Sequence, residues 1–241
     1  MRKFCNYMVL AVLFPALLAA TGLLAYLHFF APGDRNLSGK WTAALDMTEQ
    51  VSFAALGWLQ DIEGIPLSKQ DAEASIQDLT IEVTMALEET ARSEGTFQCY
   101  VSTESYEACR QAAYEAFAVM FREAVSERMH MAGYDGGTDQ EAVEALVEET
   151  FGMSAVSYLM YSVPNLLPTL EELQAQYDGS GTYQTAEGIL TRQYDGEEAA
   201  VKKEHYIRKD ASLILTGEED TAPQGNHSRQ YPVLYTLQQE Y

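Results

Sequence analysis

The sequence predicts an α+β protein with an N-terminal membrane helix followed by an antiparallel β domain that carries a helical insertion. Three observations predict this class. The first 30 residues contain a long uncharged run, two later stretches alternate apolar and polar residues with period two, and the stretch between them has apolar residues at helical spacing. The chain has 241 residues, and the roughly 200 that follow the uncharged run suffice for one domain with a sizeable core.

The uncharged run predicts a transmembrane anchor. Tyr7 to Leu27 contains no charge, and at about 1.5 Å per residue this segment spans roughly 31 Å, close to the thickness of the hydrocarbon core. Only Arg2 and Lys3 precede it, so the positive-inside rule places residues 1–6 in the cytoplasm and the domain outside. We therefore expect an uncleaved signal anchor at 7–30.

A cleaved signal peptide is the alternative to an anchor. Ala19 and Thr21 form a small-x-small pattern that a signal peptidase could recognise. The apolar run nevertheless continues to Phe30, which is longer than the usual apolar core of about 7–15 residues. This favours a single-pass protein in the cell membrane, with a linker at 31–37 and an extracytoplasmic domain at 38–241.

The chain is strongly acidic. Its formal net charge is −21, and because Arg2 and Lys3 precede the anchor, the rest of the chain carries −23. Such a surface favours solubility and disfavours binding to nucleic acid or to anionic lipid headgroups. The expected partners are therefore the membrane, through the N-terminal helix, and either a small apolar ligand or an envelope protein.

The first part of the domain predicts strands. From Leu79 to Leu87 apolar and polar residues alternate strictly, which is typical of a half-buried antiparallel strand. After a turn at Ser93 to Gly95, the apolar face continues to Val101 and completes a hairpin. An earlier strand begins at Trp41, and Val51 to Trp58 fits a short helix or a lid.

The middle of the domain predicts helices over 103–176. Ser105 to Met131 has apolar residues at helical spacing. Thr138 with Glu141 predicts a capping box for a second helix, and shorter helices follow before Pro164 and after Pro168.

The last part of the domain returns to strands. A hairpin turn at Glu187-Gly188 separates two of them, and the final strand is Val233 to Leu237. Three strands before the helices and five after them give eight candidates. Eight antiparallel strands suit a closed barrel, which leaves no exposed edges; an open curved sheet covered by helices is the alternative.

The beginning of the first strand resembles the lipocalins. Ser38-Gly39-Lys40-Trp41 supplies a Gly-x-Trp, and the C-terminal order of Gly181-Thr182-Tyr183, a hairpin and Pro232 to Leu237 is similar to that family. The resemblance implies that Trp41 plugs one end of a barrel and that Gly39 lets the chain cross beneath it. Both residues would then be structural. The helical block has no counterpart in a classical lipocalin, and the Thr-Asp-Tyr signature is missing.

The candidate ligand site is an aromatic and methionine cluster. Such stripes are usually plain core, but at a barrel mouth they could line a pocket for a small apolar or amphipathic ligand. We expect non-catalytic binding there; the alternatives are an envelope interaction module without a cavity and an enzyme with an unrecognised site. The predicted pocket residues are Trp58, Phe117, Met120, Phe121 and Tyr158.

Catalytic and metal-binding motifs are missing from the sequence. It contains no nucleophile elbow, no zinc-protease motif, no phosphate loop and no dinucleotide-binding glycine pattern, so we predict no catalytic residue, cofactor or metal. Cys99 and Cys109 lie ten positions apart in the predicted exterior domain. They fit either a disulfide or two buried thiols.

Overall fold

The domain is a closed antiparallel barrel. The computed structural model describes residues 36–60, 72, 74–134, 136–196, 200–217 and 232–238. Neighbouring strands along the chain are neighbours in the barrel, and the last strand pairs with the first. This confirms the antiparallel β domain and its strand number, and selects the closed barrel over the open sheet. The strands are β1 (Gly39–Asp46), β2 (Thr80–Ala91), β3 (Glu94–Val101), β4 (Gly179–Ala186), β5 (Ile189–Tyr194), β6 (Val201–Lys209), β7 (Ser212–Gly217) and β8 (Val233–Leu237).

The helices occupy two connections between strands. Helix α1 lies between β1 and β2, where residues 72, 74 and 75 are also helical. Four further helices lie between β3 and β4, which confirms the predicted insertion. The segment that fitted a helix or a lid is therefore a helix. The helices are α1 (Thr48–Gln60), α2 (Thr103–Met131), α3 (Gln140–Phe151), α4 (Ala155–Ser162) and α5 (Leu170–Tyr177).

The predicted cap of α3 is wrong by one residue. Asp139, not Thr138, is the N-cap, and its carboxylate accepts the N–H of Ala142 at 2.8 Å. A carboxylate is a strong cap and also opposes the positive helix N-terminus. The Thr138 carbonyl instead accepts a hydrogen bond from Ser126 of α2.

The two ends of the barrel differ. The short hairpins after β2, β4 and β6 all lie at one end, together with residues 36–38, and we call it the plugged end. The Glu187-Gly188 hairpin has φ of 53° and 78°, as a primed turn requires, which confirms that predicted turn. Helices α1 to α5 lie at the opposite end, the helical end.

Apolar side chains form two clusters. The barrel core fills the interior near the plugged end and includes Trp41, Leu87, Phe97 and Tyr235. The helical cluster joins the helices to the strand ends at the helical end. Both clusters are buried, so the helices cover the helical end of the barrel by packing directly onto the ends of the strands.

Hydrogen bonds fix the helices to one another and to the barrel. The carboxylate of Asp178, just after α5, accepts the N–H of Val101 at the end of β3, at 2.7 Å. Arg122 of α2 bonds Glu144 of α3 at 2.7 Å, and the same carboxylate accepts the N–H of Ala155 at the start of α4. The helical end is thus one connected unit.

The predicted anchor at 7–30 lies outside the described residues and stays a prediction. None of the helices in the described ranges combines the length and hydropathy needed to cross a bilayer.

Candidate functional site

The predicted pocket residues come together at the helical end. Trp58 of α1 makes an edge-to-face contact with Phe117 of α2, with ring centroids 5.7 Å apart, and lies 6.0 Å from Phe121. Phe121 is in turn 6.1 Å from Tyr158 of α4. Met120 belongs to the same helical cluster. Residues from three helices therefore meet in the helical cluster.

These residues fill the helical cluster with their own side chains. Phe117, Met120 and Phe121 are buried, whereas Trp58 and Tyr158 are partly exposed. Ring contacts at these distances are the usual geometry of packed aromatic side chains. Neither of the two surface depressions described below is lined by any of these residues.

An exposed aromatic surface continues outward from this cluster. Phe151 at the end of α3 stacks on Tyr158, with centroids 4.4 Å apart and planes 27° apart. Tyr161, one helical turn beyond Tyr158, is 84% exposed, and Met153 between α3 and α4 is also exposed. We call Phe151, Met153, Tyr158 and Tyr161 the α3–α4 patch.

The plugged end is organised by Trp41. Its side chain is fully buried, and its indole Nε1–H donates to the Leu37 carbonyl at 2.7 Å. The Arg208 guanidinium lies 5.5 Å from the centre of its ring. Gly39 has φ of +136°, and a Cβ there would come within 2.5 Å of Leu237. Gly39 and Trp41 thus both pack against neighbouring residues at this end of the barrel.

An ion pair that the sequence did not predict lies inside the barrel. Arg192 of β5 and Glu204 of β6 bond through their side chains, and both side chains are fully buried. Arg192 also donates to the Cys99 sulfur at 3.3 Å. The inward direction of Arg192 could have been predicted from the alternation of side chains along a strand, because Arg192 lies two positions after Leu190 and therefore shares its inward face.

The surroundings of Arg192 keep it charged. Burial by itself lowers the pKa of the guanidinium, but the Glu204 carboxylate raises it, and the net pKa lies above its ordinary value. The rings of Phe97 and Tyr194 lie 5.5 and 5.7 Å from the guanidinium carbon, where cation–π contact adds to the stabilisation.

The two cysteines are buried and do not form a disulfide with each other. Cys99 points into the barrel core, whereas Cys109 lies on α2 in the helical cluster. Of the two alternatives, buried thiols are therefore what the structure shows, because the two side chains belong to separately packed regions. Burial raises the pKa of the Cys109 thiol to about 11.

Histidine and acidic residues do not converge on a reactive centre in the described ranges. Glu204 is buried while His205 is exposed, since successive strand residues point to opposite faces. Among the described residues, no group of three His, Cys, Asp or Glu side chains could hold a metal ion.

Two of the open depressions in the described part of the chain are lined mainly by barrel strands. The larger, about 590 Å³, lies between β1 and β8 on the half of the barrel nearer the helical end. The smaller, about 280 Å³, lies across β3, β4 and β5 and is lined mainly by polar residues.

Comparison with protein-family models, with curated proteins and with solved structures found no match for this chain.

Proposed function

We propose that this protein is a membrane-anchored, non-catalytic interaction module whose helical end binds another protein of the cell envelope. The proposal rests on what lies at each end of the barrel. The chain enters the barrel through residues 36–38 at the plugged end, whereas helices α1 to α5 lie at the opposite end.

This arrangement supports an orientation relative to the membrane. If residues 7–30 form the anchor, only the linker at 31–37 separates it from the plugged end. An eight-residue strand at about 3.3 Å per residue is roughly 26 Å long, and with the usual barrel tilt of about 35–45° it spans roughly 20 Å along the barrel axis. With the plugged end toward the lipid, the helical end would stand about that far from it. The α3–α4 patch would then face soluble or envelope-bound partners.

The chemistry of the patch supports a protein partner. Exposed aromatic residues that adjoin one another are typical of interaction surfaces, where Tyr, Phe and Met are enriched. Glu148 and Glu149, both exposed on α3, lie beside Phe151 in the chain. We expect a partner with an apolar depression rimmed by Lys or Arg, because the domain as a whole is acidic.

Site-specific photocrosslinking in the native host tests the proposal. A benzoylphenylalanine at Tyr161 should capture a partner in intact membranes, whereas one at Ile207, which is 63% exposed on the barrel wall, should not. Equal capture at both positions, or none at either, would contradict it. Recovery of the full-length chain from the soluble cytosolic fraction would contradict the anchor.

Binding of a small apolar or amphipathic ligand is the second candidate function. It is favoured by the meeting of Trp58, Phe117 and Tyr158 at the barrel end that the helices cover, and by the resemblance to lipocalin-like domains that Gly39 and Trp41 support. A ligand would have to separate side chains that now pack together. Native mass spectrometry of the full-length protein from its host, released from detergent, tests this: a co-purifying small molecule that is lost in Phe117→Ala supports it.

A further inference from the structure

The outer wall of the barrel carries a row of aliphatic side chains across strands β5 to β8. Ile207 of β6 pairs with Ile214 of β7, and Ile214 pairs with Leu234 of β8, so these side chains are direct neighbours on the outer face. Ile207 is 63% exposed and Leu234 is 57% exposed. Ile189 of β5 pairs with His205, which places it diagonally beside Ile207. We call Ile189, Ile207, Ile214 and Leu234 the wall row.

Basic residues flank the wall row. Lys209 lies two positions from Ile207 toward the plugged end, and Lys203 lies four positions from it toward the helical end; both lysines are exposed on the outer face. In the described stretch 201–217, Asp210 is exposed and Glu204 is buried inside the barrel. Although the chain is acidic overall, nine-residue β6 contains four of its 15 Lys and Arg residues: Lys202, Lys203, Arg208 and Lys209.

The helical insertion covers the other side of the barrel. Helix α2 packs on β2, α5 packs on β3, and α3 and α4 pack on α2. Eight strands in chain order around a closed barrel place β6 and β7 opposite β2 and β3. The wall row and the α3–α4 patch therefore lie on different sides of the domain, and each can bind a partner without covering the other.

The wall row also lies near the end at which the chain enters the barrel. The pair Lys209↔Ser212 adjoins the hairpin turn at the plugged end, and Ile207↔Ile214 lies two residues further along, or roughly 7 Å. If residues 7–30 form the anchor, the linker at 31–37 spans at most about 25 Å. That length keeps the wall row within reach of the membrane surface.

We propose that the wall row rests on the surface of the membrane that holds the anchor. The aliphatic side chains enter the boundary between headgroups and acyl chains, and Lys203 and Lys209 bind the phosphates of anionic lipids. The inference rests on the membrane anchor of the proposed function and adds an orientation to it. The barrel leans on its β6–β8 wall, and the α3–α4 patch is turned away from the lipid toward its protein partner.

The residue types of the wall row favour lipid over a protein partner. Protein interfaces are enriched in aromatic residues, Met and Arg and depleted in Lys, and the α3–α4 patch follows that pattern. The wall row contains only Ile and Leu, and its outward-facing flanks carry lysines. Aliphatic side chains beside lysines are typical of surfaces that lie on anionic membranes. A symmetric contact with a second copy would bring lysines near lysines.

The negative charge of the whole domain does not prevent this contact. Salt screens exposed charges beyond a Debye length of about 8 Å at physiological ionic strength. The field at the lipid is then set by the groups nearest to it, which are Lys203 and Lys209 rather than the carboxylates on the far side of the barrel. Anionic headgroups attract such lysines over the same short range.

Spin labelling of the full-length protein in lipid nanodiscs tests the proposal. The label is attached to Ile207→Cys in a Cys5→Ser background, since Cys99 and Cys109 are buried. In bilayers that contain phosphatidylglycerol, we expect the label to be accessible to oxygen and shielded from a water-soluble nickel complex. Thr96→Cys, exposed on β3, is the matched control and should stay accessible to nickel. Equal nickel access at both positions would overturn the proposal.

The control position is matched along the strand. Thr96 lies two residues from Glu94, which adjoins the plugged-end hairpin of β2 and β3, just as Ile207 lies two residues from Lys209. The two labels therefore differ in the side of the barrel that they occupy and not in their separation from a hairpin. Leu234→Cys reports on the same row if Ile207→Cys fails to fold.

Charge variants test the role of the lipid phosphates. Lys203→Gln with Lys209→Gln should lower the ratio of lipid-bound to water-exposed wall about fivefold for each lysine. Arg110→Gln with Arg128→Gln removes the same charge from α2 and should leave the ratio unchanged. Bilayers of phosphatidylcholine alone should act like the lysine variant. A label that stays equally shielded in the lysine variant would overturn the proposal.

Photocrosslinking separates lipid from a protein occupant. Benzoylphenylalanine at Ile207 should form adducts with lipid, and capture of a protein there would overturn the proposal in favour of an acidic partner. Recovery of the full-length chain in the cytosolic fraction would contradict the anchor, and with it both proposals. A water-exposed label at position 207 in a chain that stays in the bilayer would overturn the wall inference alone, because capture at Tyr161 does not depend on it.

Discussion

Arg192 and Glu204 form an ion pair inside the barrel on adjacent strands, with neither side chain reaching solvent. Lys202 lies 3.7 Å from the second carboxylate oxygen and is partly exposed, so the acid is shared between a fully buried cation and a partly exposed one. Taking two charges out of water costs free energy that their attraction only partly offsets. We therefore expect the pair to contribute more to the register of β5 and β6 than to the stability of the fold.

Removing one member of this pair should be strongly destabilising. Glu204→Gln leaves the Arg192 charge buried without its main counter-ion, and we expect the free energy of unfolding to fall by about 3–5 kcal/mol. Replacing both residues, as Arg192→Met with Glu204→Leu, should restore most of that loss. Guanidinium unfolding curves measure both. A single-variant loss below about 1 kcal/mol would show that the pair does not contribute as described.

Trp41 should contribute more to stability than the other tryptophan. Trp41→Phe keeps much of the ring but removes the bond to the Leu37 carbonyl, which should cost about 1–3 kcal/mol. Trp41→Ala should cost about 3–5 kcal/mol. Trp58→Phe, at a partly exposed position, should cost less than about 1.5 kcal/mol. Thermal unfolding followed by circular dichroism tests this order, and an equal loss for the two phenylalanine variants would contradict it.

Two glycines should respond oppositely to alanine. At Gly39 the positive φ disfavours an L side chain, and a Cβ would contact Leu237, so Gly39→Ala should destabilise by about 1–3 kcal/mol. Gly57 lies in α1 with no atom within 4 Å of a built Cβ. Gly57→Ala should therefore stabilise by about 0.5–1 kcal/mol through helix propensity. If Gly39→Ala stabilised the protein instead, the backbone at Gly39 could not be strained for an L side chain as described.

Alkaline pH should destabilise the protein through Cys109. Burial raises its pKa to about 11 from 9.0, so between these values the folded thiol keeps a proton that the unfolded chain loses. The free energy of unfolding must then fall as pH rises through that window. Tyr106 and Tyr114 on the same helix also have raised pKa values, chiefly by burial, and add to the fall at the upper end.

The matched variant for this effect is Cys109→Ala. It should lose some stability at neutral pH because it removes a buried side chain, yet show a shallower decline between pH 9 and 11. Unfolding curves across that range measure the slope. An unchanged slope would assign the decline to the tyrosines.

Local chemistry predicted most of the fold. Period-two alternation located β2 and β3, and the Glu187-Gly188 turn located the hairpin of β4 and β5, since both features depend only on neighbours along the chain. The helical block followed from apolar spacing. The cap of α3 was misplaced by one residue because Thr138 and Asp139 are both good caps, and the choice between them depends on which way the chain leaves α2.

The candidate sites were predicted less well, because they depend on which faces meet. Apolar spacing could show that Trp58 and Phe117 belong to a core, but not that their rings would contact each other. The inward direction of Arg192 was readable from Leu190, but its partner Glu204 lies on another strand, and only the register of β5 with β6 brings the two charges together.

The sequence by itself determined the alternation, the turns and the helical spacing, since these are set by backbone geometry within a few residues. Only the tertiary structure decided that the barrel closes and that Arg192 and Glu204 meet inside it. Each of these depends on pairing between residues far apart in the chain.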